Sequence, residues 1–269
     1  DTTRARTSPR PPSTSSGHEA AAPAAPDAPP GPDPAELPLF RWALRLAFVV
    51  AVLGIIASVL HPQPEPDAIP PNAGSFLDTI ITYDFWIPVH LAGITSYLLG
   101  VVVFMGLYRS MTEQPAQGIA RIALAIGVAS TAITSIWVAI DMVSILRLAE
   151  LWEANPTEAN LGAINAVEEI ILALFSLAVI LYTGLTFALF GLAMLHSRLY
   201  PKWVGMWGLL GGIASMLVGI AQLFTGRDAL VTDILVPVVL PLVSVWFLVA
   251  TVIMWRRVSA AAGPAAAGA

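Results

Sequence analysis

IILALFSLAVILYTGLTFALFGLAML (residues 170–195) runs for 26 residues without a charged side chain. At about 1.5 Å per helical residue it reaches about 39 Å, more than the roughly 30 Å of a bilayer's hydrocarbon core. Its apolar residues lie all round the helix instead of on one stripe, as a lipid-facing span requires. With its polar ends the stretch predicts a span at about 167–196. Five more stretches of this kind occur, at about 40–60, 87–108, 119–146, 203–224 and 234–255. The chain has 269 residues, 57% of them hydrophobic and only 12% charged. A soluble domain is about 25% charged. This composition excludes a soluble globule, a soluble disordered chain and a nucleic-acid-binding protein. The predicted fold class is all-α, an integral membrane six-helix bundle occupying 39–257.

Charge sorts by side. Arg41, Arg45, Arg109, Arg121, Arg198, Lys202, Arg256 and Arg257 all fall on one face of such a bundle, and the other face has only Arg147 and Arg227. Basic residues in short loops stay cytoplasmic, so both termini are predicted inside. Trp42, Trp203 and Trp255 would anchor the inner interface, and Trp86 and Trp152 the outer one. Acids gather outside, Asp84, Glu158, Glu168 and Glu169 among them. Lys202 is the one lysine among 13 basic residues. With so much Ala and Pro, this points to a GC-rich bacterial genome, hence to a bacterial plasma (inner) membrane. The chain has no cysteine, which excludes disulfides, thiolate metal sites and iron–sulfur clusters.

Residues 1–38 are rich in Pro, Ala and Ser and have no apolar periodicity, so a disordered cytoplasmic tail is expected there, and not a signal peptide. A second disordered tail is expected at 258–269. The loop 61–86 opens with a proline run. In its second half Phe76, Leu77, Ile80 and Ile81 share one helical face with Asp78 off it, which predicts a short helix in the outer interface. Thr157 reads as the cap of a helix that enters the fourth span.

Few polar residues sit inside the spans. Ser130, Thr134, Trp137 and Asp141 share one face of the third, while Glu169, Ser176 and Thr183 recur at sevens along the fourth. Ionisable groups within a span are costly and mark functional candidates. Counting from Arg121 places Asp141 near the outer boundary and Glu169 beyond it. His61 ends the first span and His90 begins the second, both on the outer side, with Asp84 close to His90 in sequence. The candidate polar site is therefore Asp84, His90, Asp141, Glu169, Ser130, Thr134, Ser176 and Thr183. A haem held by the two histidines and a metal held by His90 with acids are both conceivable, but His61 stands beside Pro62 at the rim, and no cofactor or metal is assigned. In the fifth span Gly208, Gly212, Ser215 and Gly219 form a small-residue face for close helix packing. Pro237 and Pro241 predict a bend in the sixth.

The stretch FALFGLAMLHSRLYPKWVGMWGLLGG (residues 187–212) resembles a recurring pattern in bacterial six-helix membrane proteins of unknown function. There a long helix ends in a short basic Ser-x-x-x-Pro-Arg/Lys loop and a Gly-rich helix follows. The region from Asn72 to Met111 is similar to the same family, with an outer amphipathic helix and then a span that ends in Leu-Tyr-Arg. The resemblance implies a six-span layout over about 39–257 and no activity or catalytic residue.

Three functional classes remain. The first in order is a non-catalytic subunit or regulator that acts in the bilayer through a membrane-protein partner or a second copy of itself. The second is a small-solute or cation permease. The third is a membrane-embedded enzyme with an outward acid and histidine site.

Overall fold

The structure is a computed structural model, and it describes residues 33–62, 73–226 and 230–262. Seven helices organise these residues: α1 (Leu37–Leu60), α2 (Ala73–Thr82), α3 (Trp86–Arg109), α4 (Ala116–Ala154), α5 (Glu158–His196), α6 (Lys202–Thr225) and α7 (Val236–Ala262). Among the described residues, all but α2 are long and apolar enough to cross a membrane, which marks the chain as a membrane protein. The six pack as a ring. α1 lies between α7 and α3, α3 is followed by α4, then α5 and α6, and α6 returns to α7.

The helix ends follow from local chemistry. α1 opens with Pro38 in its first turn, where a missing N–H costs nothing. It stops at His61, whose backbone is extended (φ −68°, ψ 120°), because the residue before a proline avoids the helical region. Thr157 caps α5, its side chain accepting the Asn160 N–H at 3.3 Å. α6 ends on Gly226 at φ 66°, a left-handed turn that favours glycine.

Several boundaries differ from the sequence expectation. The end of the tail expected at 1–38 is ordered: Pro34–Glu36 form a 3-10 turn and Leu37 opens α1. Residues 1–32, like the proline run at 63–71, lie outside the described residues. At the other terminus, expected disordered from 258, α7 continues to Ala262, and 263–269 lie outside the described residues. α4 and α5 overrun their expected spans because Arg147, Glu150, Glu153 and Glu158 extend helices that hydropathy cuts short. Both also contain π-helical segments, Asp141–Ile145 in α4 and Val179–Thr186 in α5. Of the two prolines expected to bend the last span, Pro237 stands at the start of α7 and only Pro241 is inside it.

The larger core is aromatic. Phe104 of α3 is fully buried and stacks on Phe190 at 5.5 Å, with Phe187, Phe247 and Tyr182 within 5.9 Å. A smaller core fills the opposite end, where Leu77 and Ile80 of α2 meet Trp86, Ile145, Ala149, Ile164 and Ile171. Here α2 presses its apolar face on the polar-ended extension of α4.

The small-residue face of α6 is turned into the bundle. A Cβ on Gly212 would meet the Gly184 carbonyl oxygen of α5 at 2.6 Å, and one on Gly219 would meet the Ser176 carbonyl oxygen at 2.9 Å. Gly208 receives the indole of Trp246 from α7. Ser215, fully buried, donates to the Gly211 carbonyl at 3.0 Å. Glycine here lets backbones touch, the usual means of packing helices where no hydrophobic effect drives them together.

The basic loops at one end are tied to each other. Glu113, between α3 and α4, accepts from the Ser197 hydroxyl at 3.2 Å and from the Arg198 N–H at 3.3 Å. The Ser110 hydroxyl donates to the Leu107 carbonyl at 2.7 Å, so the Tyr200 phenol, also 2.7 Å away, must donate to Ser110. Burial pushes that phenol's pKa well above its ordinary value, and it keeps the proton the bond needs. Arg109 pairs with Glu36 and fastens the start of α1 to the same end.

Candidate metal centre

At the opposite end three helices each bring one ionisable side chain to a common point. His61 comes from the C-cap of α1, His90 from the first turns of α3, and Asp141 from the first position of the π segment in α4. His90 Nε2 is 3.1 Å and His61 Nε2 3.8 Å from the same oxygen, Asp141 Oδ2. The two imidazoles approach edge to face with centroids 5.0 Å apart. One donor atom from each residue lies within 4.8 Å of the other two.

The outer nitrogens explain how the rings are aimed. His90 Nδ1 is 2.7 Å from the Trp86 carbonyl oxygen, and His61 Nδ1 is 2.9 Å from that of Pro62. A carbonyl only accepts, so each Nδ1 carries a hydrogen and donates it. In a neutral imidazole Nε2 is then a lone-pair nitrogen. A lone pair and a carboxylate oxygen do not rest 3.1 Å apart unless something positive lies between them, either a proton on His90 or a cation. An Nδ1–H held by a carbonyl with Nε2 turned inward is the support that metal-bound histidines have. Zinc–nitrogen and zinc–oxygen bonds are about 2.0–2.2 Å, which sets tetrahedral donors about 3.4 Å apart. The two measured separations lie on either side of that spacing.

The neighbourhood holds the three helices in register. The Tyr83 phenol donates to the Leu60 carbonyl and ties the end of α1 to the turn before α3. The Trp86 ring packs, tilted, against His90 at 4.3 Å and His61 at 5.4 Å. Trp137, one turn before Asp141, packs on Phe175 at 4.9 Å, and its buried indole N–H has no acceptor among the described residues. Exposure is graded: the His90 side chain is 3% exposed, Asp141 15% and His61 29%. The centre is most buried at His90 and most exposed at His61.

The residues singled out in the sequence are distributed as follows. His90 and Asp141 meet. Asp84 is exposed in the turn before α3 and is not part of the group. Glu169 is exposed, and the buried acid of that pair is Glu168, on the face of Ile164 and Ile171. Ser130, Thr134 and Ser176 are buried in the bundle, where their hydroxyls donate to carbonyls three or four residues back in their own helices. Ser176 also reaches Gln222 of α6 at 3.1 Å. Thr183, half-buried, donates to Val179 at 3.0 Å. It does not continue the Ser176 face, because the π segment starting at Val179 changes the helical register and places Tyr182 and Thr186 inward instead. Trp86, expected as an interface anchor, is 2% exposed and belongs to the core. His61 was absent from the candidate group. Its signal was present in the His-Pro pair, which ends the helix and frees the ring to swing across α3.

No curated protein and no solved structure matches the chain. The family model for a domain of unknown function, DUF4386, matches residues 44–255, a range that contains all three donors and every membrane-crossing helix in whole or large part. The chain belongs to the DUF4386 family.

Proposed function

We propose that this chain is a membrane-embedded metalloenzyme that holds one divalent transition-metal ion, zinc in the first instance, on His61, His90 and Asp141 and uses it to activate water. The observation that carries the reading is the convergence of two imidazole Nε2 atoms on one carboxylate oxygen at 3.1 and 3.8 Å. Two nitrogens and one oxygen suit zinc and its neighbours. Three protein ligands would leave a fourth position for water, and the greater exposure of His61 supports access from that side. A zinc ion held there would lower the pKa of a bound water toward about 7, which would suit hydrolysis of an ester, amide or phosphoester.

The other functional classes have less to rest on. The glycine face a membrane partner would use is spent on α5 and α7. The hydroxyls a solute path would use donate to carbonyls of their own helices, and Ser176 is further engaged by Gln222 of α6.

We place the metal centre at the outer face of a bacterial inner membrane with both termini cytoplasmic, because the short basic loops gather at the far end of the bundle. The absence of native cysteines makes this testable. A cysteine at Asp84 should react with an impermeant maleimide in intact cells, and one at Arg198 should not.

The activity test is hydrolysis of a panel of ester, amide and phosphoester substrates by purified, zinc-loaded protein. Turnover should disappear on chelation, return with zinc, and be absent in Asp141→Asn. Turnover that survives both chelation and Asp141→Asn would overturn the proposal.

A further inference from the structure

One residue touches all three donor-bearing elements. The backbone carbonyl of Trp86 accepts the Nδ1–H of His90 at 2.7 Å. Its ring lies against both imidazoles, at 4.3 Å from His90 with planes inclined by 49° and at 5.4 Å from His61 with planes inclined by 48°. Its indole N–H donates to the carbonyl of Met142 at 2.9 Å. Met142 follows Asp141 directly and lies within the π segment Asp141–Ile145.

That last contact joins α3 to the one irregular turn of α4. A π turn contains one more residue than an α turn, and such single-turn insertions are frequent at functional sites. Removing one residue from the turn would rotate the side chains before it by about 100° relative to those after it. Asp141 is the first residue of the segment, so its direction relative to the rest of α4 depends on the insertion. The buried indole of Trp86 donates to one of the carbonyls of this segment.

We infer that Trp86 is the positioning residue of the metal centre: it fixes the tautomer of His90 through its carbonyl, and through its indole N–H it locks the π turn that aims Asp141. This inference rests on the metal reading above and goes beyond it by assigning a role to a residue that is not a ligand. Partners of metal ligands are worth about 10–100-fold in metal affinity, so loss of the indole donor should weaken binding by that factor.

The test uses full-length protein in detergent micelles with cobalt(II) as the probe, since its visible bands report ligand geometry. Trp86→Phe keeps an aromatic ring and the backbone carbonyl and removes the N–H together with the rest of the pyrrole ring. Trp42→Phe, an exposed tryptophan on α1 far from the histidines, is the control. Trp86→Phe should bind cobalt about 10–100-fold more weakly and show shifted bands even when saturated, while Trp42→Phe matches the wild type. A tryptophan that merely stabilised the fold would leave the saturated spectrum unchanged. If Trp86→Phe does not fold, benzothienylalanine at the same position removes the N–H in a side chain of nearly the same shape, and the same shift is expected. Wild-type affinity and spectrum in either variant would overturn the positioning role and leave the metal centre standing. Failure of the wild type to bind cobalt would overturn the metal centre, and the positioning role with it.

Discussion

Replacing Gly212 by alanine adds one methyl group where α6 meets the backbone of α5. The new Cβ would lie 2.6 Å from the Gly184 carbonyl oxygen and 2.8 Å from the Ala188 Cα. Ordinary contacts at Cβ begin near 3.4 Å, so the shortfall against the carbonyl is about 0.8 Å. Both obstructing atoms are backbone of α5 and cannot rotate away. The two helices must separate or twist, and a gap of 0.5–1 Å forfeits a quarter to a half of each dispersion contact along the seam. Overpacking of this kind costs about 1–3 kcal/mol, and a rigid backbone on both sides places Gly212→Ala at the upper end. Alanine's better helix propensity returns about 1 kcal/mol, so the net loss expected is about 2 kcal/mol, near thirtyfold in the folding equilibrium. Gly54→Ala on α1 is the matched control, since nothing lies within 4 Å of its added Cβ. The assay is reversible unfolding by SDS in mixed micelles, followed by tryptophan fluorescence. Gly212→Ala should unfold at clearly lower SDS than the wild type, and Gly54→Ala at the same or higher SDS. Equal midpoints for the two variants would refute the backbone contact between α5 and α6.

Tyr200→Phe removes a buried donor but leaves Ser110 bonded to Leu107, so a loss of about 1 kcal/mol in the same assay is expected. Because burial raises this phenol's pKa, its stabilisation is fully present below the unfolded value of about 10 and is lost as pH rises toward the folded one, so Tyr200→Phe should lessen the alkaline loss of stability. Thr157→Ala removes the cap of α5 and should cost about 0.5–1 kcal/mol, seen as faster amide exchange over the first turn after Thr157, with exchange at the centre of α5 unchanged. Arg147→Ala breaks a pair with Glu150 in which the arginine is 70% exposed, and the unfolding midpoint should not move measurably.

The parts of the fold visible in the sequence are those written in long apolar runs. Six such runs gave six helices, and the alternation of short basic loops with acidic ones gave the sorting of charge. Hydropathy reads side chains and not backbone geometry, so it stops at Leu146 in α4 although the helix continues through Arg147, Glu150 and Glu153. Thr157 did mark the true start of α5, because a cap is a local hydrogen bond and has a local signature. The π segments have no such signature. Nothing in DMVSI or VILYTGLT distinguishes an i→i+5 turn from an α turn. This is why Thr183 was placed on the Ser176 face.

The candidate site was half visible for related reasons. His90 and Asp141 stood out as polar residues near the ends of spans. The seven-residue spacing from Ser176 points to Glu169, but the buried position is one residue earlier, at Glu168, where α5 faces the small core. Asp84 was close to His90 in sequence but occupies the exposed turn. In sequence His61 reads as a rim residue, because Pro62 follows it. That proline in fact ends α1 in an extended residue whose ring reaches Asp141. What joins His61 to Asp141 is the packing of α1 and α4 on either side of α3, a contact between residues 80 positions apart that no local pattern encodes.

Binding of a metal ion by His61, His90 and Asp141 is open to direct observation. The most direct measurement is X-ray absorption on full-length protein loaded with zinc in micelles, together with metal content by mass spectrometry. One zinc per chain, two imidazole nitrogens at about 2.0–2.1 Å and oxygen ligands completing four are expected, with binding lost in His90→Ala. Wild-type protein that binds no zinc above the level of His90→Ala, or binds it without imidazole scattering, would contradict the account.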